Sequence, residues 1–143
     1  MGPEAMFRKT VFRAIPGHDA CLFCNSREME PRVLIDMNYW FMILDDSPVN
    51  KGHALIILKR HYPDIFNLSR AEWIELEEII ERAKEYLDDE FHPDGYNLGV
   101  NCGEAAGQTI FHLHIHLIPR YKDDVENPRG GIRNFKKALV AYA

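Results

Sequence analysis

The chain has 143 residues, of which 46% are hydrophobic and 27% are charged. This length suits one compact domain with its own core, and the composition excludes a wholly disordered chain. The formal net charge of −5, from 17 Lys+Arg against 22 Asp+Glu, argues against general affinity for a nucleic-acid backbone, which needs clustered positive charge.

Membrane and export signals are lacking in the sequence. No stretch approaches the roughly 18 consecutive apolar residues of a membrane span, and the first twenty residues contain no signal-peptide core. The three cysteines, Cys21, Cys24 and Cys102, are a low and odd count that is typical of a reducing compartment. We therefore expect a cytoplasmic protein that binds neither membrane nor nucleic acid. One domain is expected over residues 1–143, with an N-terminal extension over 1–18 and a C-terminal segment over 122–143.

Strand-forming segments begin at residue 33. Residues 33–44 (VLIDMNYWFMIL) are rich in β-branched and aromatic residues and predict one strand or two short ones. Residues 45–52 (DDSPVNKG) predict a loop, and residues 53–58 (HALIIL) predict a buried strand.

The clearest helix follows Ser69. Ser69 and Glu72 have the spacing of a capping box, and Pro93 cannot continue a helix. Apolar residues recur at helical spacing and predict the buried face, namely Trp73, Leu76, Ile80, Ala83 and Leu87.

Two further strands complete the predicted fold. Residues 96–102 predict a strand, residues 103–107 (GEAAG) a loop, and residues 108–118 another strand ended by Pro119. Strands, one long helix and more strands together indicate an α+β domain with a mostly antiparallel sheet.

Three histidines alternate with apolar residues in the last predicted strand. Side chains at i, i+2 and i+4 share one face, so His112, His114 and His116 are expected on one side. The other side takes Phe111, Leu113, Ile115 and Leu117. The alternative to a functional role is a strand that is rich in histidine and makes ordinary hydrogen bonds. One metal held by all three rings is geometrically awkward, whereas nucleophilic and acid–base chemistry on a phosphate suits neutral imidazole.

The segment 112–118 (HLHIHLI) resembles the motif of the histidine triad (HIT) proteins. The similarity extends over residues 21–121, including NCGEAAGQTIFHLHIHLIPRY at 101–121 and KGHALIILKRHYPDIFNLS at 51–69. The resemblance implies a HIT-like fold, with one long helix, shorter helical segments and a mostly antiparallel sheet. It also implies a homodimer and a purine nucleotide or nucleotide conjugate as the substrate.

The resemblance implies nucleotidyl transfer to water through a nucleotide covalently attached to His114. Nucleoside phosphoramidates or dinucleoside polyphosphates are the expected substrates. His116 would bond the phosphate or sugar oxygens, and His53 would support the triad. Asp45 would accept the ribose hydroxyls. Asn101, Gln108 and Thr109 would contact the phosphate and the leaving group.

The pair Cys21 and Cys24 is half of a zinc site, a redox motif or two unrelated thiols, and no thioredoxin-like pattern surrounds it. Zinc-bearing HIT proteins and the related galactose-1-phosphate uridylyltransferases imply His61 and His112 as the other two ligands. Such a closed site would be structural, with no organic cofactor.

Three rival functions stay open at this point: a phosphorylase, a zinc-dependent hydrolase with a catalytic metal, and a non-catalytic nucleotide-binding module. In the C-terminal segment, Arg129 and Arg133 either reach a substrate phosphate or belong to a solvated tail.

Overall fold

The structure is a computed structural model that describes residues 20–135. The predicted N-terminal extension over 1–18 and the end of the predicted C-terminal segment, from residue 136, lie outside the described residues. Within residues 20–135, no helix is both long and apolar enough to cross a bilayer.

Five strands form one sheet. They are β1 (Ile35–Asp36), β2 (Trp40–Leu44), β3 (Ala54–Leu58), β4 (Gly95–Gly99) and β5 (His114–Arg120). Their order is β1-β2-β3-β5-β4, and every neighbouring pair is antiparallel. The predicted α+β class with an antiparallel sheet is confirmed, and residues 33–44 supply two strands rather than one.

Helix α1 (Ser26–Met29) is short, whereas α2 (Arg70–Phe91) has 22 residues. The capping box predicted before α2 is present in both directions: the Ser69 hydroxyl accepts from the Glu72 amide, and the Glu72 carboxylate accepts from the Ser69 amide. The helix ends at Phe91, and the capping residue His92 adopts a left-handed conformation immediately before the proline. Short 3-10 turns lie at Leu22–Cys24, Glu30–Arg32, Ile65–Asn67, Glu104–Ala106 and Gly131–Arg133.

The predicted buried face of α2 is wrong at two positions. Trp73 is 48% exposed, and Ile79 rather than Ile80 is fully buried. The buried face instead includes Glu75, whose carboxylate accepts the backbone amides of residues 38, 39 and 40 at 2.6–3.0 Å. The turn between β1 and β2 presents these three donors to the helix. A buried carboxylate therefore lies on the packed face of α2 at a position that the apolar spacing did not include.

The predicted last strand also differs from the observed one. β5 begins at His114, and residues 108–113 are irregular. Phe111, predicted to face the core, is 50% exposed. Pro119 lies inside β5, not after it, because pairing with β3 stops at Leu117. Beyond that residue β5 has a neighbour on one side only, where a proline without an amide is tolerated.

The two faces of the sheet carry separate cores. One face packs on α2 through Trp40, Met42, Ile56 and neighbouring residues. The opposite face carries Phe41, Ile43, Leu55 and Ile57 and packs against Phe23, Met29 and Val33. Residues paired across two strands point to the same face, and His114 pairs with Ile57 while His116 pairs with Leu55. Both imidazoles therefore lie on the face away from α2.

Candidate functional site

A cleft of about 300 Å³ opens on the sheet face that carries His114 and His116. Five of the residues predicted from the sequence line it, namely Asp45, Asn101, Thr109, His114 and His116. His53 lies beneath His116, and Gln108 does not line the cleft. Arg129 and Arg133 are exposed and lie outside the lining.

The orientation of the His114 ring is set by a backbone group. Its Nδ1 lies 2.8 Å from the carbonyl oxygen of His112. A carbonyl only accepts, so Nδ1 carries the proton and donates. In the neutral ring, Nε2 is then the nitrogen with the free lone pair. Phe23 supports the ring from the side, in a T-shaped contact with 5.0 Å between centroids.

His53 and His116 form a hydrogen-bonded pair whose tautomers are defined. The amide of Val49 donates to His53 Nδ1 at 3.0 Å, so the proton of neutral His53 is on Nε2. That Nε2–H lies 2.9 Å from His116 Nδ1 and 3.5 Å from a carboxylate oxygen of Asp45, both of them acceptors. Neutral His116 therefore carries its proton on Nε2 and can donate it to a ligand in the cleft.

Burial keeps this pair neutral. It lowers the pKa of His116 from 6.5 to about 4, with repulsion from His114 and His53 adding to the effect and Asp45 opposing it. Burial also lowers the pKa of His53, against the opposing attraction of Asp45. The pair thus presents a neutral hydrogen-bond donor at neutral pH.

Gln108 is buried and bonds only to backbone groups. Its amide nitrogen donates to the carbonyls of Pro63 at 2.7 Å and Ile110 at 3.1 Å, and its oxygen accepts from the Gly103 amide at 2.8 Å. These bonds hold the loop before β5 against the segment after β3. A contact between Gln108 and a phosphate, predicted from the sequence, would require the side chain to exchange one of these partners.

Two cleft residues were missed by sequence reasoning. Arg32 is the one cation among the described lining residues, and it bonds to Asp46 at 3.0 Å and to the Leu44 carbonyl at 3.0 Å. Phe23 lies between the two cysteines in sequence and contacts His114. Neither residue belongs to a sequence motif that would indicate a ligand-binding role. The short helical turns before β1 bring both of them to the cleft.

A second group of side chains converges next to the cleft. The ligand atoms of Cys21, Cys24, His61 and His112 all lie within 4.8 Å of one another. His61 Nδ1 is 3.2 Å from Cys24 Sγ and 3.2 Å from His112 Nδ1, and His112 Nδ1 is 3.4 Å from each sulfur. Tetrahedral zinc with bonds of about 2.0–2.3 Å requires ligand separations of roughly 3.3–3.8 Å. The cluster is therefore close to the size of a four-ligand metal site.

The protonation of these ligands also suits a metal. His112 Nε2 lies 2.6 Å from the Leu58 carbonyl and must donate to it, which leaves the Nδ1 lone pair toward the two sulfurs. Burial raises the pKa of the Cys24 thiol to about 12, and the nearby Cys21 adds to the effect. The thiolate form thus needs a cation beside it, and two thiolates with two imidazoles are a donor set that zinc prefers.

Comparison with known proteins agrees with this geometry. Residues 26–123 match the family profile described as HIT domain. The chain belongs to the HIT family. Among its HIT relatives is a bis(5'-adenosyl)-triphosphatase of Dictyostelium discoideum, 37% identical over 87 residues, which are 61% of this chain and 58% of that protein. An adenylylsulfatase of Arabidopsis thaliana is 36% identical over 106 residues, which are 73% of this chain and 54% of that protein. The aligned segment thus spans little more than half of either relative.

A solved HIT structure bears on the metal cluster. A Zn-bound histidine triad family protein from Mycobacterium smegmatis superposes with a TM-score of 0.67 at 31% identity, covering 76% of this chain and 80% of that chain. The family match itself begins at residue 26, after the cysteine pair. The four Cys and His side chains are therefore identified as a candidate metal site from their own geometry, and the Zn-bound neighbour supports this identification.

The rival metal site of the HIT cleft is less suitable. Asp45, His53 and His116 also lie within metal-binding distance of one another. However, the Val49 amide occupies His53 Nδ1, so His53 Nε2 carries a proton and offers no lone pair toward the group's centre. Binding a metal there would cost that backbone hydrogen bond, which disfavours a catalytic ion held by these residues.

Proposed function

We propose that this HIT protein is a nucleotidyl hydrolase or transferase that works through a nucleotide covalently attached to His114. The observation that carries the proposal is the bond from His114 Nδ1 to the His112 carbonyl, 2.8 Å long. This bond leaves the Nε2 lone pair as the nucleophile of a ring that already lines the cleft. A neutral, oriented imidazole needs no base to activate it.

The reaction has two balanced steps. His114 Nε2 attacks phosphorus, an N–P bond forms, and the bond to the leaving group breaks with its electron pair, after which the leaving group takes up a proton. Water then attacks phosphorus and gives up a proton, which balances the proton taken by the leaving group; the N–P bond breaks with its electron pair on Nε2, and His114 is restored. The Nε2–H of His116 donates to a phosphate oxygen in both steps, where charge increases in the transition state. His53 keeps His116 in the tautomer that donates.

Purine nucleotides are the proposed ligands, with nucleoside phosphoramidates or dinucleoside polyphosphates as substrates. The half-buried Asp45 carboxylate has the acceptor chemistry that ribose hydroxyls require, and Asn101 and Thr109 are proposed to bind the phosphate and the leaving group. The names of the Dictyostelium and Arabidopsis relatives support hydrolysis of nucleotide anhydrides. Transfer to inorganic phosphate is the same chemistry with another acceptor.

We further infer that Cys21, Cys24, His61 and His112 hold a structural zinc, which would contribute folding energy and no activated water. None of the three cysteines forms a disulfide, which is consistent with the proposed cytoplasmic location. The proposed homodimer rests on the resemblance to the family.

The decisive experiment detects the covalent intermediate. Adenosine phosphoramidate is mixed with the protein, the reaction is stopped in alkaline denaturant, which spares the acid-labile N–P bond, and the intact mass is measured. We expect an increment of one adenosine monophosphoryl group. His114→Ala should lose this increment and cut turnover by a factor of about a thousand or more.

His92→Ala is the matched control, because His92 is exposed at the end of α2 and outside the cleft. It should keep both the increment and the turnover. Turnover of His114→Ala within a few-fold of the unchanged protein would contradict the assignment of the nucleophile. Adding inorganic phosphate separates the two acceptors, since a phosphorylase would release ADP in place of AMP.

A further inference from the structure

A carboxylate beyond the end of β5 gathers four hydrogen-bond donors. Asp124 accepts from two guanidinium nitrogens of Arg120, Nε and Nη2, at 2.8 Å each, and from the Tyr121 amide at 3.0 Å. It also accepts from the side-chain amide of Asn50 at 2.8 Å. The Arg120–Asp124 pair is largely buried, with side chains 25% and 13% exposed. A bidentate ion pair of this kind has a defined geometry. We call Arg120 and Asp124 the anchor pair.

The anchor pair reaches the loop between β2 and β3 through Asn50. The Asn50 amide nitrogen donates to Asp124 and also to the Pro119 carbonyl at 3.1 Å. The Asn50 carbonyl accepts from the His53 amide at 3.1 Å. Asn50 therefore fixes the turn that ends at His53 to the end of β5, in addition to the strand pairing.

The same turn determines the tautomer of His53. Val49 directly precedes Asn50, and its amide donates to His53 Nδ1 at 3.0 Å. We propose that Asn50 and the anchor pair are positioning residues that hold this amide against His53 and thereby keep His116 a hydrogen-bond donor. The inference rests on the proposed function, in which His116 donates to the substrate phosphate.

Loss of the hydrogen bond from the Val49 amide would reverse the donor and acceptor roles in the hydrogen bond between His53 and His116. If His53 takes up its proton on Nδ1, its Nε2 becomes an acceptor toward His116 Nδ1, 2.9 Å away. His116 must then carry its proton on Nδ1, and its Nε2 faces the cleft as a lone pair. A lone pair repels a phosphate oxygen that the other tautomer would bind. The Val49 amide thus acts together with the Asp45 carboxylate, 3.5 Å from His53 Nε2, to keep the cleft attractive to the transferred group.

The test compares two asparagines that contact the same anchor pair. Asn50→Ala removes the connection to the turn, whereas Asn97→Ala removes the acceptor of another Arg120 nitrogen at 2.7 Å, on β4 and away from the turn. Long-range ¹H–¹⁵N spectra of ¹⁵N-histidine protein, recorded without substrate, report which ring nitrogen of His53 is protonated. We expect Asn50→Ala to show a mixture of His53 tautomers and Asn97→Ala to show the Nε2–H form alone.

Kinetics provide the second measurement. Asn50→Ala should lower kcat/KM by about ten-fold, which corresponds to losing one oriented hydrogen bond to the transferred group, while Asn97→Ala stays within about two-fold. The double variant Asn50→Ala/Asp124→Ala should be no worse than the more affected single variant, because both changes cut the same connection. Equal effects of the two asparagine variants would indicate general destabilisation and overturn the inference.

The two proposals fail in different ways. An unchanged His53 tautomer in Asn50→Ala overturns the positioning role whatever the enzyme does. If the tautomer shifts but the unchanged protein forms no nucleotidyl adduct, the positioning role stands and the proposed function is lost.

Discussion

At the scale of single residues, backbone groups determine which ring nitrogen is protonated in three histidines of the candidate site. The His112 carbonyl acts on His114, the Leu58 carbonyl acts on His112, and the Val49 amide acts on His53. Carbonyls oblige a ring nitrogen to donate and an amide obliges it to accept. The rings therefore differ in chemistry although the residues are identical: neutral His114 has its lone pair on Nε2, His112 has its lone pair on Nδ1 toward the two sulfurs, and neutral His53 carries its proton on Nε2.

The lowered pKa of His116 is directly measurable. In ¹³C-histidine protein, the ring signal of His116 should titrate near pH 4, well below the ordinary value of 6.5. Because the folded pKa lies below the ordinary 6.5, the stability from the neutral ring is complete above about pH 6.5 and is lost as the pH falls toward 4. Titration at the ordinary value would contradict the burial described for this pair.

The variant Asp45→Asn tests how the charge of Asp45 affects the pKa of His116. Asp45 attracts the protonated ring and opposes the lowering of the His116 pKa. The substitution should therefore move the His116 titration to still lower pH. A shift in the other direction would show that Asp45 acts on His116 by some means other than charge.

At the scale of elements, the loop between β2 and β3 depends on Gly52. Gly52 has φ +83°, and an added Cβ would lie 2.8 Å from the Phe91 ring at the end of α2. Both features exclude a side chain there, since a positive φ costs an L residue about 1–2 kcal/mol and the ring would have to move. The loop thus sits against the helix end directly before His53.

Gly52→Ala should lower the free energy of unfolding by about 2 kcal/mol or more, measured by urea denaturation. Gly99→Ala in β4 is the matched control, because nothing lies within 4 Å of the added Cβ and its φ is not positive. The control should change stability by less than about 1 kcal/mol. Similar losses in both variants would mean that close contact with Phe91 does not constrain the loop.

At the scale of the whole molecule, the cluster of Cys21, Cys24, His61 and His112 joins three distant segments. These are the first described turn, the segment after β3 and the approach to β5. A metal bound there would link elements on both sides of the cleft without touching a reacting atom. Its removal should consequently affect folding more than chemistry.

Chelation tests this separation. A metal at a hundred times its Kd stabilises the folded state by about 2.7 kcal/mol, so removal should lower Tm by roughly 5–10 °C. Turnover measured well below that Tm should persist. Cys24→Ser should lower zinc per chain on elemental analysis, whereas Cys102→Ser, outside the cluster, should not. Loss of turnover from metal-free protein that stays folded would favour a catalytic metal instead.

Local patterns were sufficient where a residue's role depends on its neighbours in sequence. Strand alternation and the capping box at Ser69 are of this kind, and they predicted the sheet and the start of α2. The cysteine spacing indicated that Cys21 and Cys24 lie together, and they form half of the Cys/His cluster. The resemblance to the family supplied His61 and His112 as the other half. Trp73 and Glu75 show where this reasoning stops. The partners of Glu75 are amides some 35 positions away in sequence, and helical spacing does not register them.

The sequence by itself thus determined which histidines and cysteines this HIT protein possesses, and roughly which strands carry the histidines of the triad. Only the tertiary structure decided that β5 begins at His114, so that His112 turns to the cysteines while His114 and His116 face the cleft. It also decided the direction of the imidazole hydrogen bonds of His53, His112, His114 and His116. The physical reason is that a ring nitrogen takes its role from the group opposite it, and that group comes from another part of the chain.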